Sequence, residues 1–139
     1  MDNYAPHSIS KPYLVLTGFS YFYPMYIAYM KEEYYLTGSL MFLIVTTTLF
    51  HSIGWKYFLY LDVTALLNYI GYGFFLLSSM TSREAHAFLF ATCFAFYTFF
   101  FGQQNNIFCF DTNFYLQMAW HGMMHLFSAY SAVVYLENK

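Results

Sequence analysis

Apolar residues along this chain come in long runs, and every Lys, Arg, Asp and Glu except Asp62 falls outside them. Five runs stand out, at 13–30, 36–53, 59–79, 85–101 and 115–136. Their separators are Lys31 with Glu32 and Glu33, then Gly54 to Lys56, then Thr81 to Glu84, and finally the polar stretch from Gly102 to Asn113. About 20 mostly apolar residues are needed for a helix to cross some 30 Å of hydrocarbon, and each run is close to that length. Strands of a membrane barrel are shorter and alternate apolar with polar positions, a pattern these runs lack. The prediction is therefore an all-α, polytopic membrane helical bundle of about five transmembrane helices, forming a single integral membrane domain over 1–139. Pro24 lies inside the first run and should kink it or leave it locally broken.

Composition strengthens this reading. The 139 residues are 60% hydrophobic and only 9% charged, against about 25% charged in an ordinary soluble domain. The aromatic excess suits membrane interfaces and lipid-facing surface. The basic residues Lys11, Lys31, Lys56, Arg83 and Lys139 are scattered singly, so no basic patch exists for nucleic acid. Met1 to Ser10 is polar and lacks the basic start of a removable signal peptide. With five spans, Lys11 and Lys56 fall on one side of the membrane and Lys31, Arg83 and Lys139 on the other. A difference of one charge does not fix which side is cytosolic, and no feature indicates the organelle. Cys93 lies in an apolar run and Cys109 near a polar loop, an arrangement that does not suggest a disulfide.

Four ionisable side chains lie within the runs: His51, Asp62, His121 and His125. Such groups are costly in hydrocarbon and mark functional sites by default, whereas His7 and His86 belong to polar stretches. His121 and His125 are one helical turn apart on one face, a spacing by which two imidazoles can hold a single metal ion. Gln117 and Ser128 extend that stripe, and Thr47 and His51 repeat the spacing on the second helix. Up-and-down topology puts His51 near the end of the second helix, Asp62 in the first turn of the third, and His121 and His125 about 9 to 15 Å along the fifth. All four then occupy the same half of the bilayer. Three imidazoles and a carboxylate are the inventory of a catalytic Zn2+ site, with Asp62 as base or water-orienting group and Thr47 as a hydroxyl donor to water or oxyanion.

Taken in order, Thr47 to His51 is a [S/T]xxxH motif, Asp62 follows eleven residues later, and His121-Gly-Met-Met-His125 is an HxxxH near the end. This set resembles the CREST superfamily of integral membrane hydrolases, which includes alkaline ceramidases, progestin and adipoQ receptors and hemolysin III-like proteins. The resemblance implies that His51, His121 and His125 are zinc ligands and that Asp62 and Thr47 take the places of the family's Asp and Ser. It further implies a membrane-lipid substrate with a ceramide-like amide or an ester bond. The family core has seven helices, so this chain would be a reduced version in which part of the cavity wall is rebuilt or supplied by a second copy. The acidic calcium-binding segment of alkaline ceramidases is not recognisable in Met1 to Ser10. On residues alone, two other readings stay open. One is a receptor-like or structural membrane protein with a non-catalytic zinc site; the other is a haem protein in which His51 pairs with one histidine of the fifth helix. For the single residues there is also a plainer account, with Asp62 capping the third helix and each histidine bonded to a neighbouring helix.

Overall fold

Each apolar run folds as a helical rod in the computed structural model, which describes residues 11–139. The expectations about Met1 to Ser10, a missing signal peptide and a missing calcium-binding segment, lie outside the described residues, as does His7. The first rod is broken into α1 (Leu14–Gly18), a 3-10 turn (Phe19–Tyr21) and α2 (Phe22–Met30). Pro24 is the third residue of α2, where the N–H it lacks would have had no partner within that helix. The interruption therefore falls just before the proline. The other rods are α3 (Tyr34–Ile53), α4 (Lys56–Leu76) and α5 (Ser82–Phe96), then α6 (Gly102–Asn105) and α7 (Phe114–Glu137). A π-helical segment at Tyr97–Phe101 joins α5 to α6, so these form one continuous rod. The described residues thus form an all-α bundle of five rods.

Local chemistry sets the turns. Gly54 ends α3 with φ 75° and returns its N–H to Phe50 O at 2.8 Å, a left-handed cap that glycine adopts without a Cβ penalty. Trp55 is then extended and α4 starts at once, which makes α3 and α4 a tight antiparallel hairpin. Thr81 and Glu84 form a reciprocal capping box at the start of α5. The Asn113 side chain accepts from the first N–H groups of α7.

α3 packs on α4 and α2, α7 packs on α5 and α2, and the short α1 is wedged between α3 and α7. Among the described residues, Tyr34–Ile53, Lys56–Ser79 and Ser82–Asn105 are long and apolar enough to cross a membrane. α7 is as long, but Gln117, His121, His125, Ser128 and Ser131 interrupt its apolar character, and all five are buried against the bundle.

Candidate metal centre

α3 carries Thr46, Thr47, Phe50 and His51 on its buried face, and α7 carries Gln117, His121, Met124, His125 and Ser128 on its own. Because both helices run past α1 and meet there, the three imidazoles converge. The His51 and His121 ring centroids are 5.0 Å apart, His51 and His125 5.7 Å, and His121 and His125 5.2 Å. One ring nitrogen from each lies within 4.8 Å of the others. Tetrahedral coordination with bonds of ~2.0–2.1 Å needs nitrogens about 3.3 Å apart, a difference that small ring rotations cover. His121 Nδ1 is buried and has no hydrogen-bond partner among the described residues. A buried imidazole nitrogen left without a partner is costly, and coordination to a cation is one way such a ring is satisfied. These three buried histidines can hold a metal ion. The cavity beside the rings, about 90 Å3, is far too small for a porphyrin macrocycle, which counts against haem.

Asp62 lies on α4, across the hairpin from Thr47. α4 begins at Lys56, so Asp62 is in the second turn rather than the first, and it does not cap the helix. Instead its Oδ1 accepts from Thr47 Oγ1 at 2.7 Å and from Thr46 Oγ1 at 3.0 Å. The hydroxyl expected to serve an oxyanion therefore has its only proton directed at the carboxylate, and Thr47 acts on Asp62. Oδ2 makes no hydrogen bond among the described residues, which leaves that oxygen for the cavity.

Thr47, Asp62, His121 and His125 share one cavity of about 90 Å3. Its other walls are apolar side chains of α4 and of the α5 to α6 rod, including Val63, Leu67, Phe96 and Phe100. α4 and α5 come close at the far end, where Gly73 leaves space for the Phe88 ring. Near the site they diverge, and those four wall residues are also exposed on the outside of the bundle. One wall is therefore a single layer of side chains. The π-helical turn widens the rod at this level and supplies Phe99 and Phe100 to the cavity.

Two further residues at the site have no clear mark in the sequence. Thr46 adds the second bond to Asp62, hidden in a run of three threonines. Thr17 of α1 lies with Oγ1 2.9 Å from His125 Nδ1, and only the fold brings it there. His86 is exposed, and Cys93 and Cys109 are free thiols. No family model, curated protein or solved structure matches this chain.

Proposed function

We propose that the chain is a multi-pass membrane protein and a zinc-dependent intramembrane hydrolase that cleaves an amide or ester bond of a membrane lipid. A single observation carries the reading. Three buried imidazoles lie within 4.8 Å of one another, and two of them, His121 and His125, share a cavity with a carboxylate held by two threonine hydroxyls. The resemblance to the CREST superfamily adds the reaction class. A membrane location is supported by three helices of spanning length and by an exterior rich in exposed aromatic and aliphatic side chains, such as Leu16, Phe75 and Tyr130. A lipid suits a cavity whose polar groups adjoin apolar walls.

His51, His121 and His125 would hold the ion. Neutral nitrogen ligands suit zinc, and a zinc ion would supply Lewis acidity and a water made acidic enough to react near neutral pH. The chain's own groups do the rest. Thr46 and Thr47 fix the Asp62 carboxylate through Oδ1, which leaves Oδ2 to accept a proton and later return it to the leaving group. The apolar walls exclude bulk water and seat a hydrocarbon chain. A purely structural metal site has no use for the carboxylate, which supports the enzyme over a receptor-like or structural protein.

Detergent-purified protein should contain one zinc per chain by mass spectrometry, lost in His121→Ala and retained in Asp62→Asn. Turnover of lipid amides or esters should fall at least about 100-fold in Asp62→Asn, the scale expected for loss of a general base. Zinc-free wild type would sink the metal reading. Zinc with no hydrolysis of either lipid class, and no effect of Asp62→Asn, would favour the non-catalytic site.

A further inference from the structure

Thr17 is the residue of α1 closest to the metal centre, and its hydroxyl has two neighbours. Oγ1 is 2.9 Å from Leu14 O and 2.9 Å from His125 Nδ1. A carbonyl oxygen only accepts, and a hydroxyl has a single proton. Once that proton is directed to Leu14 O, the contact with His125 requires the ring to donate from Nδ1. A neutral imidazole with its proton on Nδ1 has its lone pair on Nε2.

We propose that Thr17 is a positioning residue for the metal centre, which holds His125 as the Nδ1–H tautomer and so presents Nε2 to the ion. The inference rests on the metal reading above and deepens it. Metal-binding histidines are commonly held in this way by an acceptor on the other ring nitrogen. Here the acceptor comes from a five-residue helix at the start of the described chain.

The packing of α1 shows how the hydroxyl is kept in place. A Cβ at Gly122 would come within 3.1 Å of Thr17 Cγ2, and a Cβ at Gly18 would come within 3.0 Å of Thr47 Cγ2. α1 therefore fits into a notch on α7 next to His121, while its own glycine admits a side chain of α3. Tyr21, one turn beyond Thr17, is buried with its ring centroid 6.0 Å from that of His125. α1 touches the side chain that holds Asp62 as well as a metal ligand, which links both halves of the site through one short element.

The test compares Thr17→Val, which keeps the branched shape and removes the hydroxyl, with Thr17→Ser, which keeps the hydroxyl. Zinc affinity is measured by chelator competition, and the visible spectrum of the cobalt-substituted protein reports the ligand field. Thr17→Val should bind about 10- to 100-fold more weakly with an altered cobalt spectrum, and Thr17→Ser should behave as wild type. Should Thr17→Val fail to fold, nitrogen NMR of histidine-labelled wild type reads the tautomer directly, with the His125 signals assigned by their loss in His125→Gln. A proton on Nδ1 supports the proposal. A proton on Nε2, or wild-type affinity in Thr17→Val, overturns it. Zinc-free wild type is a different failure: it removes the metal reading, while the NMR signals still decide the role of Thr17 in fixing the ring.

Discussion

At the end of the bundle where α2 turns into α3, Leu36, Leu40 and Ile70 pack with Phe88, Ala132 and Leu136 in one apolar cluster. Charged groups at that end lie at the ends of helices, as Lys31 and Glu84 do. Lys31 donates to Leu136 O at 2.7 Å, and Glu84 is held by its capping box and by Asn138. At the opposite end the interior is polar: three imidazoles, a carboxylate and three threonine hydroxyls meet beside a cavity. Both ends use the same helices, and α3 runs from Leu36 in one to His51 in the other. Substitution should therefore separate stability, assigned mainly to the first end, from the proposed metal binding, assigned to the second.

The largest stability effect is expected at Leu40, which is fully buried. In water a Leu→Ala change costs about 2–5 kcal/mol. Lipid tails are as apolar as leucine, so within a membrane mainly packing is lost, and Leu40→Ala should cost about 2 kcal/mol, the low end of that range. Reversible unfolding in mixed micelles would measure it. Zinc affinity of the folded fraction should stay at the wild-type value, and a parallel fall would show that the two ends are coupled.

Gly122→Ala should show the opposite balance. The new methyl group meets Thr17 Cγ2, and α1 must retreat by a few tenths of an ångström, which suggests a cost of about 1 kcal/mol for overpacking. The same displacement draws Thr17 away from His125, so zinc affinity should fall more than stability does. If affinity in Gly122→Ala matched wild type, α1 would be packing material alone and the contrast between the ends would weaken.

Much of this contrast can be read from residue types. Charges mark the limits of the rods because a charge in a span is costly, and the five runs match the five rods to within a few residues. His51, Asp62, His121 and His125 stood out for the same reason, and the turn-by-turn spacing brought the two α7 imidazoles onto one face. Threonine carries no such mark. Its hydroxyl can bond to a carbonyl of its own rod, as Thr98 does with Phe94 O and Thr17 with Leu14 O, so a threonine in an apolar run needs no special explanation. Its role at the site depends on which helix packs opposite, and that is a property of the fold. Pro24 announced the break in the first rod, whereas the π-helical turn at Tyr97–Phe101 has no such marker residue.

The smallest effect belongs to the surface of the apolar end. Arg83 Nη2 lies 3.0 Å from Glu137 Oε2, but both side chains are largely exposed, at 64% and 47%. Water screens such a pair and the long side chains lose freedom in forming it. Arg83→Ala should therefore shift stability by less than ~0.5 kcal/mol, within the scatter of repeated unfolding measurements, and leave zinc affinity unchanged. The pair still ties the start of α5 to the end of α7, and the Glu84 to Asn138 bond does so as well. If Arg83→Ala proved as costly as Leu40→Ala, that end would be held by its rim rather than by its apolar interior, and the division between a packed end and a chemical end would have to be redrawn.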